Sequence, residues 1–260
     1  MANNMPREAR QQIREGKLLK PTCGLAPGFT QANLVVLPRE YAFDFLLFCQ
    51  RNPKPCPVLE VLEPGKYEPV LTAPAADIRM DIPLYRVYQD GKLTAEVKDI
   101  KGYWNDELVS FLLGCSFTFE TALIRAGIEM RHIDEGKNVS MYVTSIATTP
   151  SGIFQGPLVV SMRPIPRDKV VKAVQITSRY PGVHGAPVHI GEPEKIGVTD
   201  LSKPDWGDQS VFKEDEVPVF WACGVTPQAV ALKSKPSLMI THSPGHMFIT
   251  DLHDDDLAVL

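Results

Sequence analysis

Three short blocks in the second half of the chain set reactive side chains beside glycine and proline: Ser178–Gly191 (SRYPGVHGAPVHIG), Trp221–Gln228 (WACGVTPQ) and Thr241–Asp251 (THSPGHMFITD). Glycine and proline impose backbone geometry that neither helix nor sheet extends, so polar groups held there suit binding or proton transfer. Four of the six histidines, His184, His189, His242 and His246, fall in these blocks. Imidazole is the side chain that titrates nearest neutrality.

His242 and His246 have the spacing that would put two metal ligands on one helix face, but Pro244-Gly245 breaks a helix between them. No Glu stands where a zinc-protease helix needs one, so that site is excluded. His184 and His189 sit on a loop running into a strand, where structural hydrogen bonding and acid–base work are both open to them. In WACGVTPQ an apolar strand runs into Gly224, then Thr226 as a helix cap before Pro227. Backbone N–H groups at such a junction suit a carboxylate or phosphate, with Cys223 and Gln228 flanking it; the plain alternative is a strand-to-helix corner.

In GCSFTFE, Cys115 lies near a helix start expected at Ser116, where the dipole favours thiolate, although a buried thiol among apolar residues is the commoner arrangement. Glu120, inside that helix among phenylalanines, needs a partner or a catalytic task. Arg79, Arg163 and Arg179 offer planar forks for a carboxylate. Asn33, Arg51, Asn52, Asn138 and Tyr142 are further polar groups beside apolar or turn segments. Asp254-Asp255-Asp256 reads as a solvated tail.

The elements that must position these residues are mixed. Apolar residues at 44% and charged residues at 22%, with no repeat or low-complexity tract, place the 260 residues among globular chains. A net charge of −4 and scattered Lys and Arg give no pull toward phosphate backbones, so nucleic acid is not an expected partner. Neither a signal peptide nor an apolar membrane span is evident, and a cytoplasmic location is expected. Five cysteines without a Cys-x-x-Cys pair argue against a disulfide framework and a thiolate zinc site.

Helices are predicted over Pro6–Glu15, Pro38–Arg51, Asp168–Ser178 and Pro227–Leu232, with others starting at Asn105 (burying Leu108, Phe111 and Leu112) and Ser116. Strands are predicted at Val58–Leu62, buried, at Leu84–Gln89 and Glu96–Ile100 around Asp90-Gly91, and at Val139–Ile146, Pro157–Met162, Val217–Ala222, Ser237–Thr241 and Met247–Thr250. The alternation predicts an α/β body with a mixed, partly antiparallel sheet and two closely packed subdomains, an inner one over about 76–185 and the other from 1–75 and 186–260.

The segments GFTQANLVVLP, FCQRNPKPCPVLEV, ADIRMDIPLYRVY, GCSFTFETAL, RHIDEGKNVSMY, GPLVVSMRP, VHGAPVHIG, VPVFWACGVTPQ and THSPGHMFITD together resemble the D-glutamate cyclase family, from about Arg10 to Leu252. Departures are mild: Ala76, Met80, Ser140 and Ser145 stand where the family leads one to expect Gly, Thr, Pro and Asn. If Ser145 replaces a substrate-facing amide, the substrate differs. The resemblance implies an α/β fold with two subdomains and a hydro-lyase that closes D-glutamate to 5-oxo-D-proline with loss of water.

The chemistry of that reaction assigns His184 or His189 as base and His242 or His246 as acid. Gly224–Gln228 with Arg163 or Arg179 would hold carboxylates, and Cys115 or Cys223 would serve a covalent route. A hydro-lyase on another carboxylic acid and a non-catalytic binder of an acidic metabolite are the competing readings. No cofactor is expected; a divalent metal and a homodimer are left open.

Overall fold

The computed structural model describes residues 5–259. Helices are α1 (Met5–Arg14), α2 (Arg39–Arg51), α3 (Phe117–Arg125), α4 (Arg131–Asp134), α5 (Val170–Ser178) and α6 (Thr226–Ser234). Strands are β1 (Phe29–Pro38), β2 (Val58–Leu62), β3 (Tyr85–Gln89), β4 (Lys92–Val97), β5 (Leu108–Gly114), β6 (Ser140–Ala147), β7 (Pro157–Pro166), β8 (His189–Ile190), β9 (Glu216–Ala222), β10 (Met239–His242) and β11 (Phe248–His253).

Two sheets form, the first in the order β2-β5-β1-β10-β3-β4 with β11 also on β1, the second β6-β7-β9-β8. The mixed α/β class stands, and every pairing between these strands is antiparallel. The chain passes from the first sheet to the second between Gly114 and Ser140 and back between Ala222 and Met239. Residues 75 and 185, where subdomain limits are expected from the sequence, fall inside one sheet's span each.

β1 is the axis of the first sheet. One edge pairs with β5 over Ala32–Pro38; the other meets β11 at Phe29–Ala32 and β10 at Val35 and Val36. Side chains alternate across a strand, so Ala32, Leu34 and Val36 enter a core with Tyr85, Ile240 and Phe248. Val35 and Leu37 enter another with Phe45 and Phe48 of α2 and Val230 of α6. Between the ends of β10 and β11 the ladder is completed by a side chain: Leu34 N–H donates to His242 Nδ1 at 3.2 Å.

Leu108–Leu112 is strand β5, not the helix expected after Asn105. All seven of its residues are buried, and a run buried on both faces lacks the alternation that separates a strand from a short helix. β2 lies at the sheet edge with Val58 and Val61 exposed, so it is not the buried strand expected there. The hairpin at Asp90-Gly91 has a two-residue loop with φ of 49° and 74°, and β4 therefore begins at Lys92, earlier than Glu96.

α3 leaves the end of β5 and lies between the sheets. Phe119 and Leu123 pack on Trp221 and Val219 of β9 and Ala173 of α5. A further apolar cluster joins Val159 of β7 and Cys223 to Cys115 and Phe117, which follow β5, and Met247, which precedes β11.

Candidate functional site

Arg163, on β7, is 1% exposed and lies between the rings of Phe119 and Trp221, 5.5 and 5.4 Å from their centroids. Its Nε donates to Glu120 Oε1 at 2.8 Å, one terminal nitrogen to Ser161 Oγ at 3.0 Å, and the other to Ser116 Oγ at 3.0 Å and to the same Glu120 oxygen. His132 Nε2 lies 3.1 Å from that oxygen, near enough for charge attraction though not aligned to donate. Burial pushes the Glu120 pKa up, but His132 and Arg163 outweigh it and hold the carboxyl below its usual range. Ser116 makes no capping bond to α3; its hydroxyl oxygen accepts from Arg163.

All partners of Glu120 crowd onto Oε1, and Oε2 is buried with no partner. Glu120 lines a cavity of about 130 Å³ together with the loop Gly24–Phe29, Gln31, Phe117, Ile133 and Asp254. Gln31, at the entry of β1, is 3% exposed; its Nε2 donates to Thr22 O and Leu25 O, and its Oε1 is likewise buried and bare. The loop turns through positive φ at Gly24, Ala26 and Gly28. The N–H groups of these three residues bond no other group among the described residues.

Asp254 is buried, not part of a solvated tail. The turn after β11 is tied down by Asp254 N–H to Gly28 O at 3.0 Å, and Thr30 Oγ1 lies 3.4 Å from its carboxyl. Burial pushes its pKa up to about 7, with hydrogen bonds from Thr121 and Thr30 opposing. The cavity thus holds one carboxyl kept ionised and one poised at neutrality, the pattern that separates roles between two acids.

The other expected residues have different employment. His242 is held neutral by burial, its pKa lowered to about 3, and serves the β1 ladder. His184, with φ of 85°, is lowered to about 4 by burial; its Nδ1 lies 2.7 Å from Lys54 O and its Nε2 is bare. His189 Nε2 bonds Glu192 O on the short β8 of the second sheet, and His246 Nδ1 lies 3.2 Å from Pro244 O. None of the four lines the cavity of Glu120 and Asp254.

Arg179 is exposed and donates to Val259 O; Arg79 is tied to Asp77 over the Tyr67 ring; Tyr142 donates to Leu201 O. Ser145 is exposed and packs on Gly197, so it faces no cavity amide position.

The Gly224–Gln228 junction is filled from within. Val225, not Thr226, precedes the first helical residue, and Thr226 turns its hydroxyl to Cys223 O at 2.7 Å while accepting Val159 N–H at 3.1 Å. Gln228 links Tyr88 OH to His242 O. The Asn33 amide occupies the space a side chain at Gly224 would need, and Asn138 does the same at Gly245 while donating to Pro244 O. Burial pushes the Cys223 thiol up to about 11 and raises Cys115 well above its ordinary value, so desolvation overrides the helix-end effect that would favour thiolate.

The structure therefore brings together Glu120 and Arg163 from the expected set, joined by Gln31 and His132, which the sequence does not single out, and by Ser116 and Asp254, expected there as a helix start and part of a solvated tail. A polar residue inside the apolar run FTQANLVV was the available signal for Gln31.

A surface depression of about 770 Å³ along Glu60–Leu71 has its buried carboxylate already satisfied: Glu60 accepts from the N–H groups of Val70, Leu71 and Thr72. Among the described residues no three His, Cys, Asp or Glu side chains gather to hold a metal ion, and no helix is long and apolar enough to cross a membrane.

Residues 109–251 match the family described as D-glutamate cyclase. A protein named "Putative hydro-lyase" from Thermoanaerobacter sp. is 66% identical over 98% of this chain and 97% of its own. Proteins of the same description from Geobacillus kaustophilus and Bacillus subtilis are 63% and 61% identical, each over 98% of this chain and 97% and 99% of their own.

Proposed function

The chain belongs to the D-glutamate cyclase family, an enzyme family whose relatives carry the hydro-lyase name, and we propose that it closes D-glutamate to 5-oxo-D-proline with loss of water in the cavity of Glu120 and Asp254. The observation that carries the reading is that Glu120 and Asp254 line one small cavity with their acidities displaced in opposite directions.

In the substrate zwitterion the ammonium must give up two protons and the side-chain carboxylate must leave one oxygen as water. No proton is gained or lost overall, so the enzyme needs a relay. Glu120, kept ionised by Arg163, is too weak a base to be that relay and suits an anchor: its bare Oε2 accepts an N–H of the ammonium. Leaving such an acceptor unmet in a buried site costs about 1–3 kcal/mol, which a bound amine offsets.

Asp254, near pKa 7, is matched to both halves of the transfer. Ionised, it takes a proton from the nitrogen; protonated, it gives that proton to the departing oxygen, and a second such cycle carries the second proton so that the oxygen leaves as water. The N–H groups of Gly24, Ala26 and Gly28, unbonded among the described residues in a loop that lines the cavity, would be the donors for a substrate carboxylate. Attack is intramolecular, so fixing the two ends of the substrate supplies much of the rate.

The test is incubation of the protein with D-glutamate and mass-spectrometric detection of 5-oxoproline, alongside Glu120→Gln and Asp254→Asn. The reading requires product from the wild type and its loss in both variants while they remain folded. Thermal stabilisation by D-glutamate without product would leave a binder instead.

A further inference from the structure

Gln31 is a buried amide whose orientation is set by the protein and whose oxygen is left over. Its Nε2 donates to Thr22 O at 2.9 Å and Leu25 O at 3.1 Å. Those carbonyls can only accept, so the amide cannot be turned round without setting oxygen against oxygen. Oε1 must therefore be the atom that stays free, and it is buried and unpartnered in a residue that lines the cavity.

Glu120, which lines the same cavity, carries a second buried acceptor without a partner, Oε2. Two buried acceptors without donors are an unfavourable pair, and a group that carries several N–H donors on a single atom is the chemistry that could serve both. A hydroxyl has one hydrogen to give and would leave one acceptor bare.

Resting on the amino-acid reading of this cavity, we infer that Gln31 is the specificity-determining residue that makes the site require a primary ammonium and reject the corresponding hydroxy or unsubstituted acid. Glu120 supplies the charge, and Gln31 supplies the second, neutral acceptor that counts hydrogens. Thr22 and Leu25 hold that acceptor in place from the loop ahead of β1.

The experiment measures dissociation constants of D-glutamate, D-2-hydroxyglutarate and glutarate for the wild-type protein, Gln31→Met and Gln31→Glu by calorimetry, with melting curves to establish that each variant is folded. In the wild type the amine should bind about ten- to a hundredfold more tightly than either analogue, the worth of a hydrogen bond to a charged group. In Gln31→Met that ratio should shrink by roughly tenfold while glutarate binding changes little. Gln31→Glu sets a second oxygen against Thr22 O and Leu25 O, so it should keep the preference for the amine where that oxygen is protonated and donates to one of these carbonyls, and lose it where the carboxyl is ionised.

An unchanged ratio in folded Gln31→Met overturns the inference while leaving cyclisation untouched. A wild type that makes no 5-oxoproline but still prefers amines through Gln31 sinks the cyclase reading alone. A preference for the amine that disappears with EDTA and returns with Mg²⁺ or Mn²⁺ also overturns it, because the bare oxygens would then serve a cation.

Discussion

Replacing Arg163 by Met removes a buried charge while keeping an unbranched side chain between Phe119 and Trp221. The structure makes the cost specific. Glu120, 1% exposed, would lose the bonds from Nε and one terminal nitrogen, and Ser116 and Ser161 would lose theirs. Breaking a buried pair on one side costs roughly 3–5 kcal/mol because the other charge is stranded. For a chain of this size about 2–4 °C of melting temperature accompanies each kcal/mol, so the midpoint should fall by roughly 6–20 °C.

Circular dichroism melts at pH 7 measure it, and adding Glu120→Gln to Arg163→Met should recover much of the loss, since the stranded charge is gone. The pH dependence has a definite sign. The folded-state pKa of Glu120 lies below its unfolded value. Its contribution is therefore present above about pH 4.3 and lost as pH falls through the folded value, and the gap between wild type and Arg163→Met should close on acidification. A drop under about 1 kcal/mol, or a double variant no more stable than the single one, would refute the account of a carboxylate that needs this arginine.

Asp254→Asn should abolish turnover by roughly 10²–10⁴-fold. It should also raise the melting temperature at pH 8: the folded pKa of about 7 lies above the unfolded value, so wild-type stability is lost as pH rises between about 4 and 7, whereas the amide does not titrate. His242→Gln tests the opposite sign. A folded pKa of about 3 makes wild-type stability fall as pH drops below about 6.5, and that acid limb should flatten in the variant, read by urea unfolding across pH. Iodoacetamide at neutral pH should leave Cys115 and Cys223 unlabelled in the folded protein and label both in urea, by peptide mass mapping; labelling at native rates would restore a thiol route. Gly245→Ala, which needs φ of 82° and the space held by the Asn138 amide, should cost about 1–3 kcal/mol in the same unfolding assay.

Local signals in the chain were readable where local forces decide. Asp90-Gly91 adopts the positive φ its residue types favour, and Pro227 sits in the first turn of α6. Glu120 was conspicuous because a lone acid among phenylalanines must have a partner; that the partner is Arg163, forty-three positions on, depends on how two sheets meet. β5 was misread as a helix because burial on both faces erases periodicity. Asp254 was misread because three consecutive acids resemble solvent-facing residues, and nothing nearby in sequence announces that Gly28 and Thr30 close over the first of them. The histidines drew attention through their intrinsic pKa, which burial then moved out of range.

The pairing of β1 with β11 spans nearly the whole chain, from Phe29 to His253, and the cavity wall joins Gly24 to Asp254. During vectorial synthesis, β1 emerges long before the strand that covers its first residues exists. Until then Gln31 and the 24–29 loop have no opposing wall, and an early partner for that bare edge would be any other extended segment in reach. Closure through such distant contacts is slow, so a nascent chain of this kind has reason to depend on holding factors. Any change that weakens β11 should show first as aggregation during expression, before any defect is seen in the purified enzyme.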